Sequence, residues 1–276
     1  MNFYRHELGF WEPQSSEQYA ASYPAAGNAR CYEIEARSHW FSARNRTIEW
    51  ALRHFGFPGG FLDVGAGNGF QLQYLQQNLF RQTGAYSAMC EPGVDGCVNA
   101  VQRGVANVYH CDAGSFPFGE HGIGGIGLFD VIEHIEDDSG LLQQAARACP
   151  PGSRLFITVP AGKGLWSSVD TYAGHFRRYD DGEFDRLVSE TGLTPLYQTR
   201  FFSYYSPMVW LLRVFPEMFR RPYTTEEIVR REAKFHHGRR EGRSPVLDRL
   251  HGLEMRQLDR RRRLAVGTSM LMVFGT

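Results

Sequence analysis

The sequence predicts an α/β fold with a parallel β-sheet covered by helices on both faces. Three observations support this prediction. Short apolar runs alternate with helical patterns along most of the chain, which is typical of strand, helix, strand units. A glycine-rich turn follows the first apolar run, and carboxylates recur at the ends of later runs. The length of 276 residues and the 42% apolar fraction suit one large domain, or one domain with an inserted piece.

Each element has its own signal in the sequence. A helical pattern over residues 32–55 ends at Gly56 with Pro58 beyond, and these two residues favour a helix stop. The turn from Cys149 to Gly152 ends a later helix and starts the next run. The apolar runs predict strands at 60–64, 86–90, 108–111, 127–131, 155–159, 193–202 and 266–274. The patterns between them predict helices at 70–80, 96–103, 141–148 and 181–191.

The interval between the last two predicted strands is too long for a structureless loop, so we expect it to carry its own helices. Ser244 and Pro245 form a good N-cap and first-turn pair for one of them. We therefore divide the chain into an N-terminal extension (1–38), a main domain (39–202 plus 264–276) and an inserted helical cap (203–263).

The glycine-rich turn is the most informative motif. Residues 61–69 read Phe-Leu-Asp-Val-Gly-Ala-Gly-Asn-Gly, so a strand runs into a turn that opens a helix. Glycines let a ligand approach the backbone closely, and open α/β sheets bind ligands at the carboxyl ends of their strands. A dinucleotide site would place the third glycine one residue later. Asp63 would repel a pyrophosphate but attract an ammonium group.

Carboxylates follow the next three predicted strands at one strand-helix period. Glu91, Asp112 and Asp130 come 22, 43 and 61 residues after Gly69. A carboxylate at the position of Glu91 can accept both hydroxyl groups of a ribose. Each acid could singly be a helix N-cap, but the repetition favours one shared ligand site.

With these motifs the sequence resembles the class I S-adenosylmethionine-dependent methyltransferases over residues 39–202 and the final strand. The resemblance implies a Rossmann-like, seven-stranded doubly wound sheet whose last strand is antiparallel. It implies S-adenosyl-L-methionine as cofactor and S-adenosyl-L-homocysteine as product. The methionine part would lie against Asp63, Gly65, Ala66, Gly67, Asn68 and Gly69.

The same resemblance assigns the remaining cofactor contacts. Glu91, followed by Pro92, would bind the ribose hydroxyls, and Asp112 with Ala113 would contact the adenine edge. Asp130 and Val131 would line the floor beneath the sulfonium.

Within that class the chain is similar to the group that includes the ubiquinone-biosynthesis O-methyltransferases (type 11/12). Three segments carry the likeness: residues 39–44 (His-Trp-Phe-Ser-Ala-Arg), 130–134 (Asp-Val-Ile-Glu-His) and 174–179 (Gly-His-Phe-Arg-Arg-Tyr). Arg44 would clamp the cofactor carboxylate, a bidentate task suited to arginine. The alternative for Arg44 is a solvated helix face. The inserted cap is longer than this enzyme type leads us to expect.

Two histidines are candidate catalytic bases. Methyl transfer to oxygen requires removal of the acceptor proton, and histidine is well matched to neutral pH. His134 follows the fourth predicted strand and His175 the fifth, where Arg177 and Arg178 favour its neutral form. Each histidine could instead contact a ligand or only pack, and Asp170 and Tyr172 are weaker candidates.

A divalent metal site is an alternative that we do not favour. Asp130, Glu133 and His134 are spaced like a metal-binding set in some ubiquinone-type methyltransferases. Hard cations prefer oxygen ligands, however, and no second cluster in the sequence completes the shell. The five cysteines form no C-x-x-C pair, so neither zinc nor a disulfide framework is expected.

The charge distribution bears on the acceptor. The net charge is zero, yet residues 1–219 carry 16 basic and 23 acidic side chains, whereas 220–263 carry 14 and 7. The cap begins with an aromatic stretch, 201–212, and continues with arginine-rich runs. Such runs are usually solvated, but they would also suit a small-molecule acceptor with an anionic or apolar portion.

Two functions of different classes remain open. The first is an enzyme that methylates a small molecule. The second is a cofactor-binding protein without turnover, or an enzyme whose protein or nucleic-acid acceptor docks on the basic cap. We expect no nucleic-acid partner, because residues 130–133 do not form an Asn-Pro-Pro-Tyr type motif. Residues 1–10 lack the apolar core of a secretory signal, and no spanning segment is expected, so we expect a cytoplasmic protein.

Overall fold

The computed structural model describes residues 2–14, 27–219, 223–236 and 244–276, and its strands form one sheet. The strands are β1 (Phe3–Arg5), β2 (Trp11–Pro13), β3 (Gly60–Val64), β4 (Ser87–Glu91), β5 (Val108–His110), β6 (Ile123–Phe129), β7 (Arg154–Pro160), β8 (Thr194–Phe201) and β9 (Ser269–Gly275). Their order across the sheet is β1-β2-β5-β4-β3-β6-β7-β9-β8.

Helices connect the strands and cover the sheet. They are α1 (Gly27–Glu35), α2 (His39–Phe55), α3 (Phe70–Leu75), α4 (Arg81–Thr83), α5 (Val94–Gln102), α6 (Phe118–His121), α7 (Asp138–Ala148), α8 (Ser168–Ala173), α9 (Asp181–Thr191), α10 (Ser206–Val209), α11 (Phe215–Glu217), α12 (Thr225–His236) and α13 (Pro245–Asp259). A π-helical segment, Gln76–Phe80, joins α3 to α4, and another, Trp210–Val214, joins α10 to α11.

Strand directions confirm the α/β fold. The strands β5, β4, β3, β6 and β7 are parallel, whereas β9 is antiparallel to both β7 and β8. Every residue of β3, β4 and β6 is buried, as a sheet with helices on both faces requires. The predicted antiparallel last strand is therefore confirmed.

The expected strand count of seven was wrong, since the described residues form nine strands in the sheet. The two additional strands, β1 and β2, form an antiparallel pair, and Trp11 of β2 pairs with Tyr109 of β5. Each has only three residues, too few for a period of two to be visible in the sequence. These strands fall within the stretch predicted as an N-terminal extension.

Two apolar cores lie on opposite faces of the sheet because successive strand residues point to opposite sides. Leu62, Ile126 and Ile157 belong to one cluster. Phe61 and Phe156 belong to the other, which α2 and α3 cover with Ile48, Leu52, Leu72 and Leu75.

The fourth central strand lies earlier than predicted, at Ile123–Phe129 rather than 127–131. Its glycines conceal the strand signal, but close packing requires at least two of them. A Cβ at Gly125 would lie 2.6 Å from the Phe57 ring, and one at Gly127 would lie 2.4 Å from Phe129. Because β6 ends at Phe129, Asp130 lies outside the strand, at the carboxyl edge of the sheet.

Helices fill the segment between β8 and β9. The N-cap of α13 was predicted, and the Ser244 side chain accepts a hydrogen bond from the Leu247 amide. The Glu254 carboxylate on α13 accepts from the amides of Phe202 and Ser203 at 2.7 and 2.9 Å. This buried carboxylate fixes α13 to the end of β8. None of the described helices is long and apolar enough to cross a membrane.

Candidate cofactor and acceptor site

A cavity of about 850 Å³ lies at the carboxyl ends of the central strands. All of the residues predicted for the site line it except Asp63 and Gly69. The predicted residues in the wall are Arg44, Gly65, Ala66, Gly67, Asn68, Glu91, Pro92, Asp112, Ala113, Asp130, Val131, His134 and His175. The fold therefore brings together residues that are up to 131 positions apart in the sequence.

The glycines of the turn have different roles: one allows close packing of helices, and another leaves the backbone open to the cavity. Gly65, Gly67 and Gly69 all have positive φ angles, of 64°, 53° and 69°. A Cβ at Gly69 would lie 2.8 Å from the Ala100 side chain, so this glycine allows α3 to pack against α5. A Cβ at Gly67 would approach only Asn28, at 3.8 Å. Gly67 therefore keeps the backbone accessible from the cavity.

Two buried acids flank this turn. The Glu91 carboxylate accepts hydrogen bonds from the amides of Gly67 and Gly93, both at 2.8 Å. Burial raises the pKa of Glu91, and these two bonds oppose the rise. Asp63 is 1% exposed, and no described residue donates a hydrogen bond to its Oδ2. Burial raises the pKa of Asp63 to about 7, although the positive charge of Arg44 acts in the other direction.

Arg44 lies in the cavity wall rather than on a solvated helix face, since its side chain is 13% exposed. Its Nη1 donates to Asp130 Oδ2 at 2.7 Å, and its guanidinium lies 5.4 Å from the Trp40 ring centroid. Among the described residues, Nε has no hydrogen-bond acceptor. Arg44 therefore holds Asp130 and brings a guanidinium into the wall of the cavity.

The two remaining acids of the series differ in their surroundings. Asp130 has a positive φ of 58°, uncommon for a non-glycine residue, and its amide donates to the Thr158 carbonyl at 2.8 Å. Asp112 is exposed, and its Oδ1 accepts from the Ser115 amide at 2.9 Å. Asp112 therefore also stabilises its own loop, the structural alternative considered for these acids.

The candidate histidines lie next to each other. The ring centroids of His134 and His175 are 4.8 Å apart, with an interplanar angle of 73°. His175 Nδ1 lies 3.0 Å from Asp170 Oδ1, which also accepts from Arg178 Nε at 2.7 Å. Burial of Asp170 opposes ionisation, but the bonds from His175 and Arg178 hold its pKa below the ordinary value. Arg177, the other flanking cation, pairs with Asp138 at 2.7 Å.

His134 is partly buried, like His175. Burial, and then the neighbouring His175, lower the pKa of His134 to about 4. His134 is therefore a weak proton acceptor at neutral pH.

A group of residues that could hold a metal ion lies here, but it differs from the predicted one. Ligand atoms of Glu133, His134 and His175 lie within 4.8 Å of one another. Asp130 does not belong to this group. Burial, and then the nearby Asp130 charge, raise the pKa of Glu133 well above its ordinary value, which disfavours a carboxylate ligand.

Several wall residues were not predicted. Asn28 and Glu35 come from α1, ahead of the predicted domain boundary, and the Asn28 carbonyl accepts from the Asn68 side chain at 2.8 Å. Sequence gave only a helical pattern there, starting at residue 32. Arg213 and Val229 come from the segment between β8 and β9, as do Tyr205 and Val209, which belong to the aromatic stretch 201–212 that we predicted on the acceptor side.

The described arginines of the arginine-rich runs do not line the cavity. Among the described residues of 203–263, Arg213 is the one basic side chain in the wall. Arg260, Arg262 and Arg263 are exposed, and Arg261 donates to His54 at the end of α2. Arg220, Arg221, Arg239, Arg240 and Arg243 lie outside the described residues.

Comparisons with known proteins agree on the fold. No curated protein matches the sequence significantly. A phosphoethanolamine N-methyltransferase from Haemonchus contortus, in complex with phosphomonomethylethanolamine and S-adenosylhomocysteine, has a TM-score of 0.56 at 16% identity over 91% of this chain. This chain spans 57% of that enzyme.

Two further structures align over most of their own length. A methyltransferase from Thermotoga maritima, described as a possible histamine N-methyltransferase, has a TM-score of 0.52 at 15% identity, covering 90% of this chain and 93% of its own. The cyclase SpnF has a TM-score of 0.53 at 15% identity, covering 87% and 84%. At these identities the likeness establishes the fold alone.

The family follows from the sequence model of a methyltransferase domain, which matches residues 32–198. That match covers more than half of the chain and includes the glycine turn, all four strand-end acids and both histidines. The chain belongs to the class I, S-adenosylmethionine-dependent methyltransferase family.

Proposed function

We propose that this protein transfers the methyl group of S-adenosylmethionine to an oxygen of a small-molecule acceptor, with His175 as the base. The observation that carries the proposal is the pairing of His175 with the buried Asp170 in the wall of the cavity. A carboxylate on Nδ1 holds the imidazole in the orientation and tautomer that leave Nε2 free to accept a proton.

The residues around the glycine turn fit the cofactor. Gly67 leaves backbone accessible, Glu91 lies where ribose hydroxyls can be bound, and Arg44 brings a guanidinium into the cavity wall, where it can bind a carboxylate. Asp63, with a pKa near neutrality, lies beneath the turn and favours a cation above it. Bound S-adenosylmethionine supplies an already activated methyl group, so the chain mainly aligns the acceptor and excludes water.

His175 is a better base than His134. A base works best when its pKa lies near the working pH, and the pKa of His134, about 4, is far below it. We assign to His134 a contact role, as the ring that packs against His175 at 4.8 Å and fixes the width of the cavity.

The acceptor would bind between the histidines and the helices that follow β8. Residues 203–263 serve as the acceptor-side cap, with Tyr205, Val209 and Val229 as apolar wall and Arg213 as its cation. This composition supports an acceptor with an apolar body and a single anionic group. The exposed run Arg260–Arg263 gives no support to a macromolecular acceptor docking at the cavity.

A cofactor-binding protein without turnover is the second candidate. The SpnF neighbour, a cyclase with a similar fold, shows that this fold also occurs in a protein that is not named as a methyltransferase. Both functions predict cofactor binding, so only a measurement of methyl transfer distinguishes them.

The decisive experiment is an acceptor screen with methyl-labelled S-adenosylmethionine, combined with calorimetry of S-adenosylhomocysteine binding. His175→Ala should slow transfer by about 10² to 10⁴-fold, the usual contribution of a positioned base, and leave binding intact. Glu91→Ala should weaken S-adenosylhomocysteine binding by about 100-fold, because it removes the buried carboxylate that would accept hydrogen bonds from the ribose hydroxyls. Equal loss of binding in both variants would contradict this division of roles.

Two controls accompany the screen. Binding without transfer to any acceptor would favour the second candidate, whereas absence of binding would refute both. A chelator should leave transfer unchanged, because the raised pKa of Glu133 disfavours metal binding at Glu133, His134 and His175.

A further inference from the structure

Helix α1 lies beside the glycine turn, in the wall of the cavity. Asn28 and Glu35, near its two ends, both line the cavity. A Cβ at Gly67 would lie 3.8 Å from the Asn28 side chain, and the Asn28 carbonyl accepts a hydrogen bond from the side chain of Asn68 in the turn at 2.8 Å. A cofactor that reaches the Gly67 backbone would therefore lie next to α1.

This helix is not anchored in the interior of the protein. None of its described side chains belongs to the two apolar cores that lie on the faces of the sheet. Polar contacts, and a contact between a cation and an aromatic ring, hold it instead. An element that contributes little to the apolar core can open locally at a lower cost in free energy than unfolding of the whole domain.

A buried arginine holds the C-terminal end of α1. Arg103, directly after α5, donates from Nη2 to Glu35 Oε2 at 2.6 Å, and the two side chains are 8% and 9% exposed. The same guanidinium donates to the Tyr32 carbonyl at 3.2 Å and lies 4.1 Å from the Tyr32 ring centroid. Charge-assisted hydrogen bonds of this kind are stronger than those between neutral groups.

The side chain of Asn68 connects this arginine pair to the glycine turn. Its Nδ2 donates to the Asn28 carbonyl and also lies 3.3 Å from Glu35 Oε1, and its Oδ1 accepts from Asn99 of α5 at 2.8 Å. The resemblance assigned Asn68 to the methionine part of the cofactor, yet both ends of its amide are engaged in holding α1 and α5. We call Arg103, Glu35 and Asn68 the latch.

We propose that α1 is a lid over the cofactor site and that the latch holds it closed. S-adenosylmethionine enters, and S-adenosylhomocysteine leaves, while the latch is open. Arg103 is then a positioning residue, because it lies outside the cavity wall and affects the cofactor only through α1. This inference rests on the cofactor site proposed above and requires no particular acceptor.

The test measures the association and dissociation rate constants of S-adenosylhomocysteine by stopped flow. Arg103→Gln should raise both by about tenfold, because loss of a charge-assisted hydrogen bond increases the population of the open lid. The dissociation constant should stay within about twofold, since the latch is present with and without the ligand. Glu35→Gln should act in the same way, and the double variant should add nothing further, because both substitutions break one pair.

The matched control is Asp138→Asn. Asp138 is also a buried carboxylate, it pairs with Arg177 and Arg186 at 2.7 Å, and it does not line the cavity. This control should have the rate constants of the wild type.

Two results would overturn the lid. The first is unchanged rate constants in Arg103→Gln. The second is a rise in the dissociation rate constant alone, which is typical of a lost direct contact. If the wild type binds no S-adenosylhomocysteine, the cofactor site itself is refuted together with the lid, so the two failures are distinguishable.

Hydrogen exchange covers the case in which Arg103→Gln disturbs folding more widely. The amides of residues 31–35 should exchange about tenfold faster in the variant than in the wild type, whereas those of β3 should keep their protection. Equal acceleration in α1 and β3 would indicate a general loss of stability and would contradict the latch.

Discussion

The two halves of the cavity are built by different means. The half that we propose for the cofactor, called the cofactor half below, consists of backbone and carboxylates at strand ends, and main-chain hydrogen bonds such as those from Gly67 and Gly93 to Glu91 hold it. The half that we propose for the acceptor, the acceptor half, consists of helices between β8 and β9, held to the rest by side-chain contacts from Glu217 and Glu254. The residues of a site at strand ends recur at fixed intervals in the sequence, because each strand-helix unit contributes one. The residues of a site formed by an insertion follow no such interval.

Among substitutions that affect one half of the cavity and not the other, Asp170→Asn should have the largest effect. The substitution removes the charge that orients His175 but leaves the cofactor half unchanged, so kcat should fall by about 100-fold while S-adenosylhomocysteine binding stays the same. The control is Asp138→Asn, a buried acid that pairs with Arg177 and Arg186 at 2.7 Å. That variant should lose stability but keep kcat. A weakened affinity for S-adenosylhomocysteine in Asp170→Asn would show that the halves are coupled.

A smaller effect should distinguish two glycines of the cofactor half: Gly69, which allows two helices to pack closely, and Gly67, which leaves the backbone accessible to the cofactor. Gly69→Ala should lower the free energy of unfolding by about 2 kcal/mol, because it adds left-handed strain and a contact at 2.8 Å with Ala100. Gly67→Ala has the same kind of strain but no such contact, so it should cost only about 1 kcal/mol and mainly weaken cofactor binding. Denaturant unfolding with and without S-adenosylhomocysteine measures both. The reverse ranking of stabilities would contradict these assigned roles.

The smallest effect concerns pH and the attachment of α13. His251 is 2% exposed between α2 and the end of β8, and burial lowers its pKa to about 3. An unfolded histidine binds a proton below about pH 6.5, so the stability it contributes is present above that pH and is lost as the pH falls toward 3.

We therefore expect the unfolding free energy of the wild type, relative to His251→Phe, to fall by about 1 kcal/mol per pH unit below 6.5. The comparison between variants is needed because the raised pKa of Asp63 acts in the opposite direction. His54→Phe, at a half-buried position on the end of α2, is the control. Parallel pH profiles of the wild type and His251→Phe would contradict this role.

These contrasts explain what could be predicted from sequence. The predicted strands correspond to β3 to β9, and the buried parallel strands β3, β4, β5 and β7 were placed most closely because they read as short apolar runs. The strand-end acids could be placed in one cavity because parallel strands end at a common edge. Asp170 was only a weak candidate, since its pairing with His175 depends on the side-chain geometry of one loop. Helix α1 and strands β1 and β2 gave little signal, because they are short or stabilised mainly by tertiary contacts.

The antiparallel strand β9 has a further consequence. Phe201 at the end of β8 lies directly opposite Ser269 at the start of β9, so residues 202–268 are, in topology, the loop of a β-hairpin. Each doubling of a flexible loop costs only about 0.6 kcal/mol in closure entropy. All nine strands and the glycine turn come from outside that loop in the described residues. Exchange of this single segment is therefore a route by which acceptor choice could change while the cofactor half stays the same.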